Sequence, residues 1–428
     1  MTLAVHLVQP IVPAYRVPVF RALAASKGVD LTVWADVRTT TGSLKGIAAD
    51  SGFRIRPAPL RWLGPFCWQG RSIDAAREAD VLILGWSSRS LDLPLALRRA
   101  RRRGAGTVLW GHGFGTSRPL IGDWRRRRAM RSADAFLLYG PVGRDRLAAP
   151  GFPSERLFTA PNAVDQTAIA AAAAPWRRDR ARLEAFRRER SLGDDPILLY
   201  LARLEEEKRP DLAIEALAII RRTRPARLAF IGDGAMRPAL EALARERGVA
   251  DAVIFLGAIY DEPSIAPWAT TAACLVHPGA IGLSLMHAFG YGLPVITTDR
   301  RKIQMPEFET HRDGENGLLA RHGDAADLAA RIESLLADEP RRRRCPTRRS
   351  RRSRDRGVGT SRAWSRASSR RSTSRRNDTA SRGTEGGATR GSGETPSRWL
   401  RPRDPSPPPT ERAASADSDA ERAITTRR

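Results

Sequence analysis

A chain of 428 residues, 41% of them hydrophobic, is long enough for two domains with a cleft between them. Its 73 Lys and Arg against 47 Asp and Glu give a net charge of +26, but 25 Arg and 9 acids fall within residues 341–428, which leaves the first 340 residues only moderately basic. Three widely spaced cysteines, Cys67, Cys274 and Cys345, form no C-x-x-C pair and exclude a disulfide framework or a thiolate zinc site.

The first apolar stretch, LAVHLV, has no basic segment before it and is too short for a secretory leader, and no apolar run approaches the length of a membrane span. The expectation is a cytoplasmic protein, at most touching the inner face of the membrane.

Short apolar runs then alternate with helical patterns. Strands are predicted at LAVHLV near residue 3, LTVWAD near 31, VLILGW near 81, TVLWG near 107 and AFLLYG near 135. A second series follows at ILLYLA near 197, RLAFIG near 227, AVIFLG near 252, ACLVH near 273 and PVITT near 294. Helical segments between most of them predict parallel sheets with right-handed crossovers, hence an α/β chain of two Rossmann-like, doubly wound domains. The expected division is 1–165, a linker over 166–194 that holds an Ala run and the charged RARLEAFRRER, and 195–340. Ligands of such sheets bind beyond the carboxyl ends of the strands, so the chemistry is expected in a cleft between the two domains.

From residue 341 the text turns to Arg, Ser, Thr, Gly and Pro, a composition that cannot bury enough apolar surface to offset chain entropy, so a disordered tail is predicted. Two explanations stay open: a nucleic-acid or acidic-lipid binding extension, and a change of reading frame in a GC-rich gene, which the abrupt switch after AADLAARIESLLADEP favours.

Residues 277–299, HPGAIGLSLMHAFGYGLPVITTD, are the most informative stretch. A buried strand runs into a turn at Gly282 and Leu283, then a short helix to Gly290 and Gly292, then a strand. The first N–H groups of such a helix lack internal partners and lie at the positive end of its dipole, a geometry that suits a diphosphate.

Several motifs together resemble the group 1 glycosyltransferases, also called family 4. These are PNAVD (161–165), LARLEEEKRPDLAIEAL (201–217), FIGDG (230–234), FLG (255–257), GLSLMHAFGYGLPVIT (282–297) and DGENGLL (313–319). The first half matches through PAYRVPVFRALA (13–24) and WGHG (110–113). The resemblance implies a GT-B fold, a nucleoside-diphosphate sugar as donor and transfer with retention at the anomeric carbon. It implies no metal and no cofactor beyond the donor, an acceptor held by the first domain, and a departing phosphate that takes the acceptor's proton.

The resemblance assigns Arg203 and Lys208 to the donor diphosphate, and a forked guanidinium with a point-charge ammonium suits phosphate oxygens. A solvated pair beside Glu205, Glu206 and Glu207 is the plainer alternative. Gly282 and Leu283 would lend backbone N–H groups to the same diphosphate, and Gly232 and Leu256, within FIGDG and FLG, complete the donor-binding set. Where the family's pattern carries two glutamates, one for donor-sugar hydroxyls and one for the ribose, this chain has Gly279 and His287. A neutral imidazole can bond a ribose hydroxyl, with a helix histidine that meets no ligand as its alternative, whereas Gly279 has no side chain to offer. His112, between Gly111 and Gly113, matches a histidine set beside the transferring sugar; an ordinary loop histidine is its alternative.

LRWLGPFCWQGR (60–71) and Trp124 with Arg125–Arg128 mix aromatic and basic residues, which suits an anionic membrane surface or a lipid-linked acceptor, though core tryptophans beside a solvated basic face explain them too. Asp417, Ser418 and Asp419 imitate a metal-binding D-x-D inside the tail and are taken as chance. The expected function is hexosyl transfer to a saccharide or lipid-linked acceptor in cell-surface glycan synthesis, with nucleic acid not expected as a partner. A GT-B-like sugar-nucleotide epimerase, or a basic binder acting through the tail, are the alternatives.

Overall fold

The computed structural model describes residues 2–37, 40–41, 44–45, 52–112, 124, 128–149 and 152–338. The expectations for the tail, for Gly113 and for Arg125–Arg127 lie outside the described residues.

Two parallel sheets form the frame. The first holds β1 (Leu3–Val8), β2 (Val29–Ala35), β3 (Arg54–Pro57), β4 (Val81–Gly85), β5 (Gly106–Gly111), β6 (Ala135–Leu138) and β7 (Leu157–Thr159), in the order β7-β6-β5-β4-β1-β2-β3. The second holds β8 (Ile197–Leu201), β9 (Arg227–Ile231), β10 (Val253–Phe255), β11 (Cys274–His277), β12 (Val295–Thr298) and β13 (Gly317–Ala320), in the order β10-β9-β8-β11-β12-β13. All ten predicted strands form, and each sheet reverses its strand order once, between β1 and β4 and between β8 and β11. That reversal opens a crevice at the carboxyl ends of the strands.

The strands read as unbroken apolar runs because both faces of each sheet are covered. In the first sheet Leu82, Leu109 and Phe136 pack on one face and Leu7, Val33 and Leu137 on the other. In the second, Leu198, Leu228 and Val276 face helices Pro210–Ile220 and Ala325–Ala337. On its opposite face Leu199, Ala229 and Leu275 meet helices Gln166–Arg178, Glu262–Thr271 and Leu283–Tyr291. The stretch expected as a linker thus forms two helices, Gln166–Arg178 and Arg180–Glu189, whose Ile169, Ala173 and Phe186 are buried in the core of the second sheet.

Helix ends follow local chemistry. Asp165 accepts from the Thr167 and Ala168 N–H groups, Asp261 from Ser264 and Asp324 from Asp327, each supplying an acceptor to otherwise unpaired donors. The helix Leu283–Tyr291 stops at Gly292, whose φ of 73° is left-handed.

Candidate functional site

The loops after β8 and β11 meet at the crevice of the second sheet. Lys208 lies on the first of them, and its Nζ donates to the Ala280 carbonyl at 2.7 Å, with only 12% of its side chain exposed. The two loops are also tied by the Ala280 N–H, which donates to the Glu207 carbonyl at 3.0 Å. Gln304 fixes the turn from the other side: its Oε1 accepts from the Ile281 N–H at 2.8 Å, and its Nε2 donates to the Gly279 carbonyl at 3.4 Å. No side chain caps the helix that starts after Gly282, so its first N–H groups open toward this mouth.

Below Lys208 the floor is neutral. His277 is fully buried and stacks on Tyr200 at 5.4 Å; burial, assisted by the Lys208 charge, pushes its pKa down to about 3. An uncharged imidazole leaves the Lys208 ammonium, which also lies 3.5 Å from Glu207 Oε1, as the cation of the turn.

Arg203 stands at the end of the same strand, 44% exposed, with its guanidinium paired to Glu205. Gly232 is pressed against that segment: a Cβ there would lie 1.8 Å from the Ala202 carbonyl oxygen, and its φ of 152° needs glycine. Its N–H donates to Gly257, next to Leu256, a half-buried residue packed on the core below. Lys208, Gly279, Gly282 and Leu283 are therefore brought together directly, and Arg203, Gly232 and Leu256 line the adjoining strand ends.

His287 sits one turn into the helix. Its Nε2 lies 3.0 Å from Glu262 Oε1 and its Nδ1 3.4 Å from the Leu283 carbonyl, so both ring nitrogens face acceptors of the protein itself. The expected ribose contact from His287 would have to displace one of them.

The first lobe presents a second constellation around His112. The His112 ring is exposed and lies 4.7 Å from Tyr139. The Tyr139 hydroxyl accepts from Arg16 at 3.0 Å, and the Arg16 guanidinium bonds Gln9 and stands 4.0 Å over the Trp110 ring. Two contacts reach across from the second lobe. Glu307 Oε1 accepts from Asn162 Nδ2 at 2.9 Å, while its buried Oε2 has no hydrogen-bond partner among the described residues and lies 4.0 Å from where a Gly282 Cβ would stand. Glu309 Oε2 accepts from the Val142 N–H at 3.3 Å, at the start of helix Pro141–Ala148.

Comparison with known proteins decides the family. Residues 182–352 match the family model described as glycosyl transferases group 1. Over 329 residues the chain is 31% identical to the GDP-mannose-dependent alpha-(1-6)-phosphatidylinositol monomannoside mannosyltransferase of Mycolicibacterium smegmatis, covering 73% of this chain and 82% of that protein. The chain belongs to the group 1 glycosyltransferases.

Solved structures agree on the GT-B fold. This group 1 glycosyltransferase superposes on Anabaena Alr3699/HepE, crystallised in complex with UDP, with a TM-score of 0.62 at 16% identity over 89% of this chain and 100% of that one. A glycosyltransferase from Rickettsia africae ESF-5 gives a TM-score of 0.65 at 13% identity, covering 87% of this chain and 98% of that one.

Nothing in the local sequence of this glycosyltransferase marks Glu262, Gln304, Glu307 or Glu309, and Tyr139 is hidden in the strand text AFLLYG. Arg16 and Asn162 stood inside quoted motifs without being singled out. An isolated carboxylate or amide carries no local signal, because its partner lies many residues away: 145 for Asn162 and Glu307, 167 for Val142 and Glu309.

Proposed function

We propose that the protein moves a hexosyl unit from a nucleoside-diphosphate sugar to a saccharide or lipid-linked acceptor, with retention at the anomeric carbon, in cell-surface glycan synthesis. The observation that carries this reading is the Lys208 ammonium held 2.7 Å from Ala280 at the uncapped mouth of helix Leu283–Tyr291. A cation and unpaired backbone N–H groups converging on one point are the means of stabilising a departing diphosphate. Arg203 adds a second charge from the neighbouring strand end. The mycobacterial relative is named for a GDP-mannose donor and a phosphatidylinositol mannoside acceptor, which supports a nucleotide sugar on one side and a glycolipid on the other.

The first lobe holds the acceptor, and His112, above Tyr139, faces the transferring sugar. Closure of the lobes excludes the water that would otherwise hydrolyse the donor. Among the described residues no helix is long and apolar enough to cross a membrane, while Trp62, Leu63 and Trp124 are each more than half exposed in the first lobe. These side chains, with Arg128 5.9 Å over the Trp124 ring, suit contact with an anionic lipid surface.

A thermal-shift screen with UDP, GDP, ADP and their sugars tests the donor, since a ligand stabilises the folded form according to its concentration over its Kd. Stabilisation by one nucleotide family, followed by transfer to glycolipid in vitro, is the expected result. The absence of any shift with all three nucleotides would overturn the reading.

A further inference from the structure

His287, Glu262 and Tyr291 form a hydrogen-bonded trio outside the Lys208 turn. Glu262 opens the helix Glu262–Thr271, just past the loop that leaves β10, and His287 and Tyr291 lie on the neighbouring helix Leu283–Tyr291. Glu262 Oε1 meets His287 Nε2 at 3.0 Å, and Glu262 Oε2 accepts from the Tyr291 hydroxyl at 2.6 Å. The carboxylate is only 17% exposed, and among the described residues neither Lys nor Arg lies within ion-pair distance of it. It is therefore no ordinary surface acid, which would reach for a cation or for water.

We propose that the Glu262 carboxylate, held by His287 and Tyr291, accepts hydrogen bonds from the ribose hydroxyls of the donor nucleotide. This deepens the nucleotide-sugar reading above and rests on it. An ionised carboxylate has about four lone-pair sites, of which the trio uses two, so acceptor capacity remains for a pair of neighbouring hydroxyls. His287 has none to spare, because both of its ring nitrogens already face the protein. Burial, then the bond to Glu262, drive the Tyr291 pKa far above the usual phenol range, so Tyr291 remains a donor to the carboxylate at every working pH.

Position agrees with the chemistry. Glu262 stands at the carboxyl-end side of the second sheet, where ligands of doubly wound domains bind and where an acid commonly takes a ribose hydroxyl. Half-buried Leu256, Ile259 and Leu283 pack on the core cluster that holds both helices, giving the nucleoside an apolar wall. His287 and Tyr291 are positioning residues in this scheme, and the carboxylate makes the contact.

Calorimetric titration of the whole protein with UDP and GDP, and with their 2′,3′-dideoxy counterparts, tests the assignment. The wild-type protein should prefer the ribonucleotide by about tenfold or more, the value of hydrogen bonds to a charged acceptor. Glu262→Gln should bind the dideoxy nucleotide as the wild type does and lose most of that preference. Tyr291→Phe, which keeps its ring in the core and removes only the tether, should lose part of it and serves if the first variant fails to fold. Equal weakening of ribo and dideoxy ligands in these variants, or a preference that survives both substitutions, overturns the assignment and leaves the transferase reading intact. Failure of the wild-type protein to bind either UDP or GDP overturns both.

Discussion

Gly279 lies so close to Lys208 that a Cβ built on it would stand 2.4 Å from the Lys208 carbonyl carbon and 2.5 Å from the Glu207 carbonyl oxygen. Backbone occupies the space a side chain would need, so the glutamate that the family resemblance leads one to expect here has no room beside the Lys208 loop. Restoring the acid should therefore damage the site. Gly279→Glu is expected to cost about 1–3 kcal/mol through overpacking and to weaken nucleotide binding by dislodging Lys208, as read by thermal unfolding and titration. A variant with wild-type stability and tighter donor binding would show that the loop yields.

Arg203 and Arg209 provide a controlled comparison. Arg209 has a left-handed backbone with φ of 51° and pairs with Asp211 at 2.7 Å, whereas Arg203 stays 44% exposed at the strand end beside the turn. Arg203→Ala should reduce kcat/KM for transfer about a hundredfold, within the range for removing one transition-state contact, and Arg209→Ala far less. Equal losses would remove the donor role of Arg203. Lys208→Met, which keeps the stem and removes the charge, should lose at least as much as Arg203→Ala.

Glu309 makes the contact between lobes sensitive to pH. Burial raises its carboxyl above the ordinary value, against a smaller opposing effect of the Val142 N–H. The folded protein then keeps a proton that the unfolded chain has released, so stability falls as pH rises through the interval between the two values. Melting temperature measured upward from about pH 4, the ordinary range of a glutamate, should drop faster for the wild type than for Glu309→Gln. Parallel curves would mean that this carboxyl does not titrate differently on folding.

His112 belongs to the other lobe, against Tyr139. His112→Ala should lower kcat for transfer by about tenfold or more while the Kd for the free nucleotide stays unchanged, the signature of a contact made after the nucleotide has bound. A parallel loss of nucleotide affinity would move His112 out of the acceptor side.

Not every element was equally legible. Ten of the strands were readable because a strand covered on both faces is written as a continuous apolar run. The edge strands RIRP (β3), LFT (β7) and GLLA (β13) were not, since they are short, and β3 has a charged residue at every other position. Antiparallel pairing of Arg61–Leu63 with Phe66–Trp68 was missed as well, because LRWLGPFCWQGR reads as mixed aromatic and basic text and its pairing is set by the Gly64 turn.

The residues themselves determined the frame of the site. Alternating apolar runs impose two doubly wound sheets, the switch in strand order opens a crevice, and glycines at 232 and 279 allow backbone to approach backbone there. Which polar groups meet in that crevice was decided only by tertiary packing. Lys208 reaches Ala280, Glu262 joins His287 and Tyr291, and Glu307 and Glu309 bind the first lobe, each across a long stretch of chain. Apolar burial is a sum over many residues and leaves a periodic trace along the sequence, whereas a hydrogen bond between two distant side chains is a single event whose partner the fold alone selects.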